Sequence, residues 1–115
     1  MRILYDPEGD VLDVIFDERL HRSDKIAYEL RDGFILYVTV DSLKPIQLTV
    51  VNYQRLAQRS TFLFSGWKKL KAADRKKLAP ILASPALSSF LKLDPQTGYG
   101  YVGKSVMLDV FPLAA

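Results

Sequence analysis

Three glycines followed by Lys104 and Ser105, within residues 98–105, have the spacing that most resembles a chemical site. The pattern fits both the phosphate-binding loop of nucleotide enzymes and the dinucleotide-binding fingerprint. Both sites need a strand before the loop and a helix after it, whose N-terminal amides contact the phosphate. The residues that follow Ser105 include Pro112 and β-branched residues, which do not favour this helix. We therefore predict a tight glycine-rich turn and no nucleotide site.

Near the N-terminus, an acidic cluster has spacing that resembles a calcium-binding loop; its members are Asp6, Glu8, Asp10 and Asp13. In a true calcium loop, the glycine follows the third ligand and a bidentate carboxylate closes the loop. Gly9 does not stand at that position. A hairpin turn explains the segment better, because Pro7 presets the backbone angle, Asp6 can bond back to the backbone and Gly9 can be left-handed. We predict this turn, with a weak surface cation site as the alternative.

The single histidine, His21, is flanked by Arg19 and Arg22 in a polar connection. An imidazole beside cationic phosphate binders could act as acid and base in a ribonuclease-like hydrolase. However, the sequence marks no second general base or nucleophile, and a histidine in a polar connection is far more often simply solvated. A hydrolase or nuclease centred on His21 is therefore only the second alternative function, and we predict no catalytic residues.

A run of basic residues beside Trp67 could contact the phosphates of a nucleic acid while aromatic rings stack on bases. A helix nevertheless shows a charged face to water whatever its function, and Asp74 interrupts the positive charge. We favour the solvated face and keep a nucleic-acid-binding accessory protein as the first alternative function. The contact residues would be Lys68, Lys69, Lys71, Arg75 and Lys76.

Length and composition set the broad class of the protein. The 115 residues are enough for one domain with a single core, and their balance of hydrophobic and charged residues is globular. The absence of cysteine excludes disulfides and thiolate chemistry, and we expect no cofactor and no metal. No apolar run approaches the roughly 20 residues of a membrane span. We therefore expect a cytoplasmic protein without membrane contacts, and the formal charge of +3 is too small to imply nucleic acid by itself.

Five runs rich in β-branched and aromatic residues fill the first half of the chain, at 2–5, 11–16, 25–30, 34–40 and 46–51. Short turns join most of them, and Asp32-Gly33 is a strong hairpin signal. Short turns favour antiparallel neighbours, because parallel neighbours need long crossovers. The sequence therefore predicts an α+β fold, with an antiparallel β-meander sheet of four to five strands followed by short helices packed on one face.

The helices are expected after the last of these strands. Asn52 is predicted to cap a short helix, and apolar residues recur at helical spacing between residues 67 and 91. Pro80 and Pro85 favour two or three short helices, since proline is most comfortable in the first turn of a helix. Ser84 is predicted to cap the last of them, and residues 105–111 are predicted to form either a strand or a docked segment.

One turn and its neighbours carry a resemblance to a known family. The features are the turn Tyr5-Asp6-Pro7-Glu8-Gly9-Asp10, a short apolar strand, an acidic connection, and Asp32-Gly33 before another apolar strand. In this order they resemble the small bacterial domain of unknown function numbered 2283. The resemblance covers residues 1–58 of a single domain 1–115, and residues 59–115 form an extension that the family usually lacks. It supplies no catalytic residues and implies a small bacterial protein with a binding role, since some members resemble companions of toxin-like partners.

Several strands of the first half are apolar on both faces, so the helices of the second half cannot cover all of their surface. An exposed apolar sheet face normally marks a partner surface. The leading prediction is therefore a protein-interaction or self-association module, either a homo-oligomer or bound to a protein partner. The predicted interaction surface comprises Val11, Ile15, Ile35 and Tyr37.

Overall fold

The computed structural model of the chain describes residues 1–41 and 43–103. Its first half forms one five-stranded antiparallel sheet, and its second half supplies four short helices and a three-stranded sheet. The strands of the large sheet are β1 (Arg2–Asp6), β2 (Val11–Ile15), β3 (Lys25–Arg31), β4 (Phe34–Thr39) and β5 (Pro45–Val51). The predicted α+β class with an antiparallel sheet is confirmed. The strand or docked segment predicted at 105–111 lies outside the described residues.

The strand order of the large sheet, β1-β2-β5-β4-β3, differs from that of a simple meander. β5 lies between β2 and β4 and pairs antiparallel with both, so β2 and β3 are not neighbours. The connection 17–24 therefore passes the ends of β5 and β4 before β3 begins. Hairpin turns specify only which consecutive strands pair. The connection 17–24 is not a hairpin turn, so the position of β5 is set by the packing of the whole sheet.

The first hairpin turn forms where the sequence predicts it, but a different residue is left-handed. Oδ1 of Asp6 accepts a hydrogen bond from the backbone N–H of Glu8 at 3.1 Å, as expected for the first residue of such a turn. Asp10 has φ 53°, whereas Gly9 was predicted to adopt this conformation. Aspartate is one of the few side chains that tolerate the left-handed region, and Asp10 is held there by contacts described below.

The second half begins with α1 (Tyr53–Ala57), followed by β6 (Phe62–Leu63), α2 (Ser65–Lys69), α3 (Ala72–Leu82), α4 (Pro85–Ser88), β7 (Leu91–Leu93) and β8 (Tyr99–Val102). The two or three helices predicted between residues 67 and 91 correspond to α2, α3 and α4. The small sheet, in the order β6-β8-β7, was not predicted. The tight turn predicted over 98–105 is wrong for residues 99–102, which form β8, while residues 104–105 lie outside the described part.

Three details of the helix ends differ from the sequence predictions. Pro80 lies inside α3, near its end, and does not begin a new helix. Asn52 precedes α1 with φ 60° and makes no side-chain capping hydrogen bond. Ser84 precedes α4, with Pro85 in the first turn as predicted, but its hydroxyl donates to the carbonyl of Ile81 at 2.6 Å instead of capping α4.

The core lies between one face of the large sheet and the second half of the chain. The sheet contributes alternate residues of its strands, and the second half contributes Phe62, Phe64, Trp67, Leu78 and Leu87, all buried. Two arginines close the edge of this core: the guanidinium carbons of Arg31 and Arg59 lie 4.7 and 5.2 Å from the ring centroid of Phe62. Burial, and then the charge of Arg59, lowers the pKa of Arg31.

Candidate functional site

The face of the large sheet that points away from this core carries all four residues of the predicted interaction surface. Alternation along the strands puts them there, because their neighbours Leu12, Val14, Phe34, Leu36 and Val38 point into the core. The register agrees: Ile35 pairs with Thr49, and both Ile15 and Tyr37 pair with Gln47. We call this surface the open face; it comprises Leu4, Val11, Asp13, Ile15, Ile35, Tyr37, Gln47, Thr49 and Val51.

The apolar residues of the open face differ in how far solvent reaches them. Leu4 is 46% exposed, and Val11, Ile35 and Tyr37 are half-buried. Ile15 is only 4% exposed, so its predicted role as a contact residue is wrong. It lies at the end of β2, where the connection 17–24 lies on the same side of the sheet. The available apolar surface is therefore Leu4, Val11, Ile35 and Tyr37.

Two contacts place the connection 17–24 over this end of the open face. Nε of Arg2 lies 3.0 Å from Oε1 of Glu18, and Nζ of Lys25 donates to the carbonyl of His21 at 2.9 Å. Arg2 and Lys25 both belong to the outer side of the sheet, since they alternate with core-facing neighbours. The connection 17–24 thus covers the end of the open face around Ile15 and leaves the rest of the face accessible.

At the centre of the open face lies a polar cluster that the sequence analysis did not single out. Oδ1 of Asp13 accepts a hydrogen bond from the Thr49 hydroxyl at 2.5 Å and another from the Gln47 amide at 3.0 Å. The Gln47 amide also lies 3.1 Å from the Thr49 hydroxyl. The alternation of Gln47 and Thr49 with apolar residues in β5 was the signal for it. The face is therefore amphipathic, with a polar centre and an apolar surround.

Charge is divided between the two sides of this polar centre. Asp13 lies on β2, whereas Lys25 lies on β3 at the opposite edge, with its ammonium 5.7 Å from the ring centroid of Tyr37. β2 and β4 flank β5 symmetrically. The β2 side of the face thus presents the Asp13 carboxylate, whereas the β4 and β3 side presents Tyr37 under the Lys25 ammonium together with the exposed carboxylate of Glu29, which pairs with Ile35.

His21 shows no arrangement for catalysis. Its Nδ1 is buried without a hydrogen-bond partner, and within 1–41 and 43–103 no carboxylate or hydroxyl orients the ring. A general base needs a proton donor or acceptor within hydrogen-bond reach. The contact that the residue does make is through its backbone carbonyl, to Lys25. The position of His21 is explained by the packing of the connection 17–24.

The acidic cluster of the first turn serves the fold. Oδ1 of Asp10 accepts hydrogen bonds from the Tyr5 hydroxyl at 2.7 Å and from the backbone N–H of Gln54 at 2.9 Å. Its carbonyl accepts another from Tyr53 at 3.1 Å, so one residue joins β1 to the start of α1. Burial, and then the hydrogen bond to Asp10, raises the pKa of Tyr5 to about 12. Among the described residues, no group of three or more His, Asp or Glu side chains could hold a metal ion.

Replacing Asp10 by Ala should lower the free energy of unfolding by about 3 kcal/mol, because two hydrogen bonds to a carboxylate are lost and Ala tolerates a positive φ poorly. Urea denaturation followed by circular dichroism measures the change. Asp10→Asn should cost about half as much, since Asn keeps an acceptor oxygen and tolerates the left-handed conformation. Equal stabilities of the Ala variant and the unmodified protein would contradict this role for Asp10.

The predicted nucleic-acid contact residues are spread over two helices. Lys68 and Lys69 belong to α2, Lys71 immediately precedes α3, and Arg75 and Lys76 belong to α3. The Arg75 guanidinium donates to the carbonyl of Lys68 at 3.1 Å, which joins the two helices. Because these residues lie on the surface, they fit the solvated face that the sequence favoured.

Trp67, which accompanied this basic run in the sequence, is not available for stacking on bases. It is 1% exposed, and its indole N–H donates to the carbonyl of Pro95 at 3.0 Å. The ring fills the core between α2 and the turn before β8. A nucleic-acid surface built on Trp67 is thereby excluded, and any aromatic contact with bases must come from other residues.

Comparison with known proteins gives no relative for this chain: no family model, no curated protein and no solved structure matches it. The functional interpretation of the open face therefore depends on its geometry alone. Across the part of the chain that the structure describes, no helix is both long enough and apolar enough to span a membrane.

Proposed function

We propose that this chain is a protein-interaction module that self-associates through the open face. The observation that carries the proposal is the partial exposure of Leu4, Val11, Ile35 and Tyr37 on one face of a sheet whose other face is buried. An apolar sheet face in contact with water is stabilised when a partner covers it. A small bacterial binding protein, as the resemblance of residues 1–58 implies, is consistent with this role.

A second copy of the chain is the partner whose chemistry fits this face. In a two-fold dimer with its axis parallel to the strands and passing over β5, β2 of one copy faces β4 of the other. Asp13 of one copy then lies opposite Ile35 of the other, because both residues pair with Thr49 in the same row of the sheet. The same pairing occurs twice, so Gln47 and Thr49 of the two copies meet at the axis, and the apolar residues of β2 and β4 flank them on both sides.

The size of the face sets the expected strength of the dimer. Five strands spaced about 4.8 Å apart, each about 17 to 20 Å long, give an upper limit of about 400 to 500 Å² for the contact, part of which the connection 17–24 already covers. A stable interface covers about 800 Å² on each partner, whereas smaller ones belong to transient complexes. We therefore expect a reversible dimer with a Kd in the range of about 1 to 100 µM.

Ile35→Asp should weaken this dimer strongly. The new carboxylate would lie in the middle row of β4, where it faces Asp13 of the second copy, and burying such a pair of like charges is costly. Sedimentation equilibrium across a concentration series should show a monomer–dimer equilibrium for the unmodified protein. The Ile35→Asp variant should weaken it by at least about tenfold, equivalent to about 1.4 kcal/mol.

Lys76→Asp is the matched control, because it introduces the same carboxylate at an exposed position of α3, away from the open face. It should leave the dimer intact, and circular dichroism should confirm that both variants are folded. An unmodified protein that stays monomeric up to about 1 mM, well above the expected Kd range, would overturn the proposal. Equal weakening by the two variants would also overturn it, since the effect would then be one of net charge.

A further inference from the structure

We propose that the outer face of the small sheet binds single-stranded nucleic acid, with bases stacking on Tyr99 and Tyr101. This surface is separate from the open face and does not depend on self-association. It also differs from the basic run of α2 and α3, since its aromatic residues lie on β8. The tyrosines have a recognisable sequence signal, the alternation in Tyr99-Gly100-Tyr101-Val102, which the sequence analysis read as part of a turn.

The two rings lie on the same side of the central strand of the small sheet. Gly100 and Val102 point inward and are buried, whereas Tyr99 and Tyr101 are 53% and 40% exposed. They are the only tyrosines with such exposure among the large hydrophobic residues described. Residues two apart on a strand lie about 6.6 to 7 Å apart on one face. Two neighbouring rings in this arrangement offer a platform on which successive bases can stack.

The inward side of β8 keeps the platform in place. A Cβ atom added at Gly100 would lie only 2.1 Å from the carbonyl oxygen of Lys92, so β8 packs closely against β7. Gly98, with φ 80°, ends the turn before the strand, and its carbonyl accepts a hydrogen bond from Phe64 at 2.8 Å. Both tyrosines therefore stand on a rigid strand, which lowers the entropy lost when bases bind.

One lysine stands beside the platform. Lys92 pairs directly with Tyr101 across β7 and β8 and is exposed. It forms no ion pair within 4.0 Å with a carboxylate of the described residues. Its ammonium group can therefore bind a phosphate next to the stacked bases. The stem of Lys68 packs against Gly98, just before Tyr99, since a Cβ atom added at Gly98 would lie 3.0 Å from Lys68 Cγ.

A carboxylate, Asp94, also lies near the platform and keeps its negative charge. Asp94 accepts hydrogen bonds from the backbone N–H of Gln96 at 3.0 Å and from the Thr97 hydroxyl at 3.1 Å. The first of these hydrogen bonds is the main cause of the lowered pKa of Asp94. A shallow cavity of about 390 Å³ is lined by the two tyrosines, Lys92 and Asp94. The surface thus offers two aromatic rings on which bases can stack, with one ammonium group beside Tyr101 for a phosphate and one carboxylate at the other side of the cavity.

The ligand should be single-stranded, because only unpaired bases expose their faces to the rings. Fluorescence anisotropy with a labelled oligothymidylate of about 12 nucleotides tests this directly, since such a probe spans a typical single-strand site. The unmodified protein should bind the single strand more tightly than a duplex of the same length. Tyr99→Ala and Tyr101→Ala should each weaken binding about tenfold, the effect of losing one stacked base.

The controls separate stacking from charge and from folding. Tyr99→Phe and Tyr101→Phe keep the rings and should bind nearly as well as the unmodified protein. Lys92→Ala should weaken binding and reduce its salt dependence, whereas Lys44→Ala, which removes the same charge from an exposed position before β5, should change neither. A protein that binds no oligonucleotide at low salt would overturn the proposal. So would Ala variants of the tyrosines that are folded by circular dichroism and bind as tightly as the unmodified protein.

Discussion

Trp67→Ala should lower the free energy of unfolding by about 4 kcal/mol, the largest effect expected of a single core substitution in this chain. Trp67 is 1% exposed within the core cluster, and its indole N–H donates to the carbonyl of Pro95. The substitution leaves a large cavity between α2 and the sheets and leaves the Pro95 carbonyl without this donor. Because small domains are stable by only about 5 to 15 kcal/mol, the variant should be close to unfolding.

Urea denaturation followed by far-ultraviolet circular dichroism measures this loss, since the variant lacks the single tryptophan and its fluorescence. Trp67→Phe should cost less, about 1 to 2 kcal/mol, because it refills most of the cavity and loses mainly the hydrogen bond. Lys68→Ala, at an exposed position of the same helix, should change stability by less than about 0.5 kcal/mol. A Trp67→Ala variant within about 1 kcal/mol of the unmodified protein would show that the indole does not anchor this core.

Gly66→Ala should destabilise the protein by about 3 kcal/mol, although Ala is the better helix former by about 1 kcal/mol. Gly66 lies in α2 where this helix crosses β3. A Cβ atom added there would lie 2.1 Å from the carbonyl oxygen of Glu29 and 2.8 Å from the carbonyl carbon of Leu30. Both are backbone atoms of a paired strand, so they cannot move aside as a side-chain end can. The helix must shift, and its contacts with the sheet are lost.

Gly9→Ala is the matched control for this prediction. Its added Cβ would meet Oδ2 of Asp6 at 2.8 Å, which is the end of an exposed side chain that can rotate away. We expect a change below about 1 kcal/mol there. Thermal unfolding of both variants distinguishes the two sites, because the midpoint should fall by many degrees for Gly66→Ala alone. A Gly66→Ala variant more stable than the unmodified protein would mean that helix propensity outweighs the contact with β3.

Much of the large sheet could be predicted from local chemistry. Asp32-Gly33 gives a hairpin because Gly33 adopts φ 77° at no steric cost, and the turn begun by Asp6 forms for the same kind of reason. Alternation assigned Ile35 and Tyr37 to one face correctly, since side chains on a strand have a period of two. These features depend on a few neighbouring residues, so a single sequence contains all the information that they need.

The candidate sites depended more on distant contacts. Ile15 was expected on an accessible surface but is covered on the side where the connection 17–24 lies. Trp67 was expected beside a basic surface but lies in the core. Tyr99 and Tyr101 were predicted to be part of a turn. They lie in a strand because β8 pairs with β7 and with β6, and β6 is more than 30 residues away in the sequence. In each case, exposure is set by segments far away in the sequence.

The sequence by itself determined the antiparallel hairpins, the short helices after them and the faces to which alternate strand residues belong, because backbone sterics and side-chain periodicity act over a few residues. Only the tertiary structure decided that β5 lies between β2 and β4 and that Asp13, Gln47 and Thr49 form one cluster. It also decided which aromatic rings remain in water. These outcomes depend on burying the largest apolar area of the whole chain at once, which no local pattern encodes.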